Sequence, residues 1–171
     1  MVVRKRLDIS GPAIVFVTTT VFKWKPILTK EKVAGIVIKE LQNTQVLYEM
    51  NFISYVIMPS HIHLLLGFHD ISKLSKFVQT FKSITSRQTR RLSLKELQEN
   101  DYKLWKPRFD DLIVNSEKQL KIKMEYIHNN PVKAGFVEHA EDWTYSSAVD
   151  WLTARRGLLS IDKEYQWLVE K

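Results

Sequence analysis

The sequence of 171 residues is of ordinary size for one domain, and its 44% hydrophobic and 26% charged residues indicate a folded chain with a core. It contains no cysteine, which excludes disulfides, thiolate zinc sites and cysteine nucleophiles, so a metal would need His, carboxylate or amide ligands. No apolar run approaches the ~20 residues that cross a bilayer, and the first residues are too polar for a signal peptide. We therefore expect a soluble, cytoplasmic protein.

The net charge of +7 is concentrated in one segment. Residues 71–109 contain ten basic and three acidic side chains, whereas the rest of the chain carries equal numbers of each sign. Such a segment is typical of a nucleic-acid-binding surface, although a solvated helix face gives the same pattern. The candidate DNA-binding cations are Lys73, Lys76, Lys82, Arg87, Arg90 and Arg91, joined near the amino terminus by Arg4, Lys5 and Arg6.

The hydrophobic pattern of the first half predicts a strand, a helix, two strands and a second helix. The predicted ranges are Ala13–Thr20, 29–42 with Thr29 as its cap, 46–58, His61–Phe68, and a helix that begins at Ser72. The break at Pro59-Ser60 is so short that the two strands beside it must be antiparallel. The basic residues of the second helix lie largely off its apolar stripe.

The second half predicts one more strand, at 109–114, and a helix that begins at Ser116. Gln119 follows Ser116 by three residues, which is the spacing of a capping box. Its buried stripe would be Leu120, Met124 and Ile127. We expect Pro131 to end this helix, because the residue before a proline avoids the helical region. The remaining residues, with Trp143, Trp151 and Trp167, are predicted to pack as short helices.

This order of elements is that of the ferredoxin-like split βαβ fold, of class α+β. It predicts an antiparallel sheet with helices on one face, and with an added C-terminal helix that carries a tyrosine. We expect one domain in residues 1–150 and a C-terminal extension, 151–171, that packs on the domain or trails from it.

His61-Ile62-His63 lies within a predicted strand. Residues i and i+2 of a strand point to the same face, ~6.6 Å apart along the chain. Two imidazoles side by side could bind one divalent cation. A pair of hydrogen-bonded structural histidines is the alternative.

Tyr126 lies on the helix that begins at Ser116, rotated away from its buried stripe, and Asn130 lies one turn further on the same face. A tyrosine and an amide presented to two histidines on a sheet form a usable catalytic set. The alternative is packing, because the chain has six tyrosines and most tyrosines are amphipathic packing residues.

Two blocks of sequence resemble motifs of the HUH single-tyrosine transposases. The block MPSHIHLL at 58–65 resembles their strand in which two histidines flank a hydrophobic residue, and YIHNNPVKAG at 126–135 resembles their tyrosine helix. The chain is most similar to the REP-associated tyrosine transposases, whose further blocks resemble WTYSS at 143–147, LW at 104–105 and FD at 109–110. The resemblance spans about residues 12–150, and Ser60 stands where the family usually has Asn.

The resemblance implies that His61, His63 and Asn130 bind Mg²⁺ or Mn²⁺ and that Tyr126 is the nucleophile. Tyr145 is the rival nucleophile, and we interpret it as a packing residue. It implies a transesterification enzyme that cleaves and rejoins the ends of single-stranded hairpin DNA through a 5′-phosphotyrosine, without a nucleotide cofactor or a membrane. Insertion-sequence relatives are dimers and the REP-associated branch acts as monomers, so either state is compatible. An exposed Trp105 would stack on unpaired bases. The sequence does not identify the group that activates the tyrosine, and His128 and a water are the candidates.

Three other functions remain open at this point. The first is a domesticated protein that binds hairpin DNA without cleaving it. The second is a nuclease in which a metal-activated water attacks and Tyr126 is a bystander. The third is a ligand-sensing ferredoxin-like domain with structural histidines, although the basic segment is not expected in such a domain.

Overall fold

The computed structural model describes residues 9–99 and 101–165, so Arg4, Lys5, Arg6 and Trp167 lie outside the described residues. Its strands are β1 (Ala13–Thr20), β2 (Met50–Ile57), β3 (His61–Phe68) and β4 (Asp110–Val114). They form one sheet in the order β2-β3-β1-β4, in which every neighbouring pair is antiparallel. This is the strand order of the split βαβ arrangement, and the predicted ferredoxin-like α+β fold is confirmed.

Helices cover both faces of the sheet. They are α1 (Glu31–Leu47), α2 (Leu74–Arg90), α3 (Lys95–Gln98), α4 (Glu117–Lys133) and α5 (Ala148–Leu152). Ile62 and Leu64 of β3 join the core formed with α1 and α2, whereas Leu65 joins the core formed with α4. Because side chains alternate along a strand, the face that bears His61 and His63 is the one that α4 covers. None of the helices in the described ranges is long and apolar enough to span a membrane.

The first two helices differ from the predictions at their ends. The N-cap of α1 is Lys30, which makes no capping hydrogen bond with its side chain, and Thr29 lies outside the helix. The helix continues to Leu47, so β2 begins four residues later than predicted. Val46 and Leu47 caused this error, because they are apolar yet exposed at the end of α1. A short 3₁₀ turn, Ile71–Lys73, precedes α2.

The helix α4 has the predicted cap but not the predicted end. Ser116 Oγ accepts a hydrogen bond from the Gln119 N–H, as a capping box requires. The helix continues through Pro131 to Lys133, and Gly135 follows with a φ of 77°. The prediction that Pro131 ends the helix is wrong: in the last turn a proline removes only one helical hydrogen bond, and the glycine provides the left-handed exit. Asn130 therefore keeps its helical position one turn beyond Tyr126.

The segment after α4 covers the outer edge of β2. Three backbone N–H groups and two indole N–H groups take part in hydrogen bonds along this edge. The donor and acceptor pairs are Ile57 to Tyr145, Ser147 to Tyr55, Asp162 to Phe52, Trp143 to Ile57 and Trp151 to Ile53. An uncovered sheet edge is a template for pairing with other chains, and residues 143–162 remove that template.

A buried polar cluster joins α4 to β2 and to this cover. His128 Nε2 lies 3.0 Å from Ser54 Oγ and 3.0 Å from Ser147 Oγ. Ser147 Oγ also accepts a hydrogen bond from the Tyr55 N–H at 2.9 Å. Burial lowers the pKa of His128 to about 4, so the imidazole is neutral at physiological pH. The folded protein therefore requires an uncharged histidine at this position.

We expect the free energy of unfolding to fall as the pH is lowered from about 6.5 towards about 4, because the unfolded chain takes up a proton that buried His128 does not. This contribution is complete above the pKa of the unfolded state and disappears towards that of the folded state. The slope from one histidine is at most about 1.4 kcal/mol per pH unit. Urea denaturation at successive pH values, with a chelator present, measures it. His128→Gln keeps an N–H donor without titrating, so its slope should be lower; an equal slope would contradict the prediction.

Candidate active site

The strand β3 and the helix α4 bring the predicted chemical groups together. His61 and His63 lie on the same face of β3, with ring centroids 4.8 Å apart. The ring of Tyr126 on α4 lies 5.1 Å from that of His63. The side chain of Asn130, one turn further along α4, forms a hydrogen bond with His61. The structure thus places all four residues in one site.

His63 is a neutral imidazole, and one of its ring nitrogens makes no hydrogen bond to any residue that the structure describes. A hydrogen bond of 2.8 Å joins its Nδ1 to Thr18 Oγ1, and Phe16 stacks against its ring at 5.5 Å. Its side chain is 5% exposed, and Nε2 is buried without a hydrogen-bond partner in the described part of the chain. Burial lowers the pKa of His63 to about 3, with smaller effects from His61 and Lys123. An unpaired buried nitrogen costs free energy, and a neutral imidazole is the form that binds metals.

His61 lies closer to the surface than His63. Burial lowers its pKa, and the hydrogen bond with Asn130 opposes this shift. Ser60 Oγ lies 3.2 Å from its Nδ1, so the residue that replaces the family's usual Asn contacts this histidine directly. Both imidazoles therefore have a hydroxyl at Nδ1, which orients each ring and leaves Nε2 as the nitrogen that could bind a metal.

Two imidazoles and one amide form a donor set that suits a divalent cation. Within residues 9–99 and 101–165, no third His, Cys, Asp or Glu joins the two histidines. The third protein ligand would then be the amide oxygen of Asn130, which is neutral. The orphaned Nε2 of His63 fits this interpretation, because a metal would satisfy it.

Tyr126 is exposed, unlike the two residues that follow it on α4. Its side chain is 41% exposed, whereas Ile127 and His128 are buried. The ring contacts Phe16 edge-on, with centroids 6.0 Å apart. The ammonium group of Lys123, three residues earlier, lies 5.8 Å from the Tyr126 ring and 4.6 Å from that of Phe16. A phenol at the surface beside a cation and two imidazoles can receive an anionic substrate.

Four residues that contact the site were not identified from the sequence: Thr18, Phe16, Lys123 and Trp24. Lys123 could have been found, because it lies three residues before Tyr126 and so on the same helical face. Thr18 and Phe16 depend on the pairing of β1 with β3, in which Thr18 lies opposite His63. Trp24 lies in the turn after β1, with its ring 5.8 Å from that of His61. No spacing in the sequence connects these three residues to the histidines.

Two roles proposed from the sequence are wrong. Trp105 is only 7% exposed; its indole N–H donates to Thr85 Oγ1 and its ring packs on Phe81, so it cannot stack on a base. His128 is buried and bonded to Ser54 and Ser147, which leaves it unavailable to activate Tyr126. It lies two residues after Tyr126 and therefore on the other side of the helix.

The basic residues of α2 lie in the other layer of the molecule. This helix packs beside α1, on the face of the sheet opposite His61 and His63.

The predicted DNA-binding cations on and beside α2 differ in their contacts. Lys82 donates to the carbonyl groups of Lys106 and Arg108, and burial lowers its pKa to about 8. Lys73 pairs with Glu49, and Arg90 lies over the ring of Tyr102. Lys76, Arg87 and Arg91 are exposed. DNA binding by this helix stays a prediction, and these residues do not line the histidine site.

Residues 14–130 match the family model described as "Transposase IS200 like". This range is more than half of the chain and includes His61, His63, Tyr126 and Asn130. The chain belongs to the IS200-like transposase family. The resemblance noted in its sequence motifs is confirmed.

Two relatives with similar sequences carry the name of one branch of these transposases. The REP-associated tyrosine transposase of Escherichia coli K12 is 28% identical over 115 residues, which cover 67% of this chain and 62% of the relative. A Haemophilus influenzae protein assigned to the same group is 28% identical over 105 residues, which cover 58% of this chain and 60% of the relative. The chain thus matches about three fifths of the length of each.

Two solved structures share the fold. A REP-associated tyrosine transposase bound to a REP hairpin has a TM-score of 0.71 and 21% identity, with 100% of this chain and 98% of that chain covered. A Deinococcus radiodurans protein described as a transposase has a TM-score of 0.52 and 20% identity, with 74% and 96% covered. At these identities the likeness establishes the fold alone.

Proposed function

We propose that this transposase-family protein is a metal-dependent single-strand DNA endonuclease that cleaves and rejoins hairpin ends through Tyr126. The observation that carries the proposal is the exposed side chain of Tyr126 beside His63, a buried histidine whose Nε2 has no hydrogen-bond partner among the residues that the structure describes. The relatives named as REP-associated tyrosine transposases support it, as does the solved relative bound to a REP hairpin.

His61, His63 and Asn130 would hold Mg²⁺ or Mn²⁺. When bound, the cation supplies charge stabilisation at a non-bridging oxygen of the scissile phosphate. Thr18 fixes the ring of His63 so that Nε2 faces the site. The three protein ligands are neutral, so they leave the charge of the cation available to the phosphate.

Tyr126 is the group that forms the new bond. Its phenolic oxygen attacks phosphorus, and the bond from phosphorus to the 3′ oxygen of the DNA breaks. The phenol loses its proton to solvent and the departing 3′ oxygen takes one up. The products are a 5′-phosphotyrosine and a free 3′-hydroxyl. One phosphodiester replaces another, so a second 3′-hydroxyl can reverse the step and join strands without ATP.

Lys123 brings a fixed positive charge to the nucleophile. Its ammonium contacts the rings of Phe16 and Tyr126 and is close enough to His63 to lower the pKa of that imidazole. A lysine in this position can donate to a non-bridging phosphate oxygen when DNA binds. It would hold the phosphorus near Tyr126 and stabilise the charge that develops there.

We expect single-stranded hairpin DNA to form a covalent adduct with the protein in Mn²⁺ and none in chelator. Tyr126→Phe and His61→Ala should each abolish the adduct, because one removes the nucleophile and the other a metal ligand. Tyr145→Phe is the matched control and should retain it, since that ring packs against Trp143. Denaturing gels with a labelled hairpin library measure the adduct, and peptide mapping locates it.

Each other outcome of this experiment would indicate a different function for this protein. Metal-dependent cleavage without an adduct would make water the nucleophile. Salt-sensitive binding with neither cleavage nor adduct would leave a hairpin-binding protein that does not cleave. An adduct mapped to Tyr145 would exchange the roles of the two tyrosines.

Thr18→Val should weaken Mn²⁺ binding about 10- to 100-fold, because the isosteric side chain cannot hold the ring of His63. Thr19→Val is the control: its hydroxyl lies on the other face of β1 and is buried with no hydrogen-bond partner among the described residues. Calorimetric titration with Mn²⁺ measures both affinities. Equal affinities would show that Thr18 does not position a metal ligand.

Lys123→Gln should slow adduct formation about tenfold or more, because it removes the cation beside Tyr126. Lys121→Gln removes an exposed lysine of the same helix, one that pairs with Glu117, and should change the rate little. Rates at saturating DNA, from quenched time points, separate this effect from binding. If both variants slow the reaction equally, general electrostatic attraction is the explanation.

A further inference from the structure

The turn that follows β1 places an exposed tryptophan at the rim of the site. Trp24 is 55% exposed, and its ring centroid lies 5.8 Å from that of His61. The ammonium group of Lys106 lies 4.4 Å from the centre of the indole. The ring is therefore not part of the core. More than half of the surface of Trp24 is exposed and available to stack on another flat group.

The backbone of this turn is strained. Lys23 and Trp24 have φ values of 55° and 57°, in the left-handed region that residues other than glycine, asparagine and aspartate rarely adopt. Burial does not compensate for this strain, because Trp24 leaves most of its apolar surface in water. Strained residues cluster at ligand-binding sites, where a particular side-chain position is needed.

Hydrogen bonds anchor the turn to the site. The Val21 N–H donates to the carbonyl of Ser60, the residue before His61, at 2.8 Å. The Phe22 N–H donates to the Leu104 carbonyl at 2.8 Å, and the Lys106 N–H donates to the Thr20 carbonyl at 2.9 Å. The turn at 21–24 and the segment 104–106 therefore hold Trp24 and its lysine at fixed positions beside His61.

Cations alternate with aromatic rings over this surface. The ammonium groups of Lys23 and Lys103 lie 5.7 Å and 5.5 Å from the ring centre of Phe22, and Lys106 lies over Trp24. Neither 21–26 nor 102–108 contains an acidic residue. Proteins that bind single strands use this combination, with rings that stack on bases and cations that contact the backbone phosphates.

We propose that Trp24 stacks on an unpaired DNA base next to the scissile phosphate, and that Lys106 contacts a backbone phosphate on the same side. The turn then positions the strand over His61 for attack by Tyr126, so Trp24 and Lys106 are positioning residues. The choice of ligand rests on the proposed function, but stacking requires neither metal nor chemistry. Because every base has a flat face, the contact tolerates different bases.

The test uses the full chain as Tyr126→Phe, in chelator, so that binding is measured without reaction. The probes are DNA hairpins with single-stranded extensions that carry 2-aminopurine at one position at a time. We expect quenching of 2-aminopurine fluorescence at one or two adjacent positions. Trp24→Leu should remove the quenching and weaken binding about 5- to 100-fold, whereas Trp24→Phe keeps a stacking ring and should bind within a few-fold of the parent.

Matched variants separate stacking from general effects. Phe136→Leu removes another exposed aromatic, one that stacks on Trp143, and should leave quenching and affinity unchanged. Lys106→Gln should reduce the slope of log affinity against log salt by about one, as the loss of one phosphate contact does. Lys39→Gln, an exposed lysine of α1 in the other layer, should leave that slope unchanged.

The outcomes distinguish this inference from the proposed function. Quenching that depends on Trp24, in a protein whose wild type forms no adduct, would support the stacking site and overturn the chemistry. An adduct that Trp24→Leu forms with wild-type rate and affinity would support the chemistry and overturn the stacking site. Equal binding by every Trp24 variant, or no binding of DNA at all, would overturn the inference.

Discussion

The pairing of β1 with β3 is the constraint on which the site depends. Its register places Thr18 opposite His63, where the hydroxyl fixes the imidazole. A shift of one residue in β3 would turn both histidines into the apolar layer below α1 and α2, because side chains alternate between faces. The hydrophobic residues Ile62 and Leu64 resist that shift, since they would leave the core that they form with α1 and α2. The core thus determines the direction in which the histidines point.

The rotation of α4 about its axis is fixed in a similar way. Leu120, Ile127 and His128 are buried against the sheet, and His128 adds hydrogen bonds to two serines. Because that side of α4 is packed against the sheet, helical spacing determines the positions of Lys123, Tyr126 and Asn130. All three contact the histidine site. The buried side of α4 therefore fixes where its exposed side chains lie. His128 is only two residues from Tyr126 in sequence, but it belongs to the buried side and has a structural role.

The sequence predicted these features where they follow from local periodicity, and it failed where they depend on packing between distant segments. The bounds of β1 and β3 were predicted correctly, because β1 is a β-branched, apolar run and β3 is a largely apolar run that begins after the break at Pro59-Ser60. The grouping of His61 with His63, and of Tyr126 with Asn130, follows from the periods of a strand and a helix. The choice of Trp105 as the exposed aromatic was wrong and Trp24 was missed, because exposure depends on how segment 104–106 packs against the turn after β1. That turn also contradicts local conformational preference, as functional sites often do.

The charges around the proposed metal site favour joint binding of cation and DNA. The three proposed protein ligands are neutral, and Lys123 brings a positive charge close to His63, so without DNA this charge would weaken the binding of a divalent cation. A phosphate reverses this balance, because its negative charge attracts both the ammonium and the cation and adds an oxygen ligand. Each would therefore strengthen the binding of the other, and thermodynamic linkage requires the two effects to be equal. In the proposed site the cation would be held more firmly when a strand is present, which would favour the reactive arrangement in the complex with DNA.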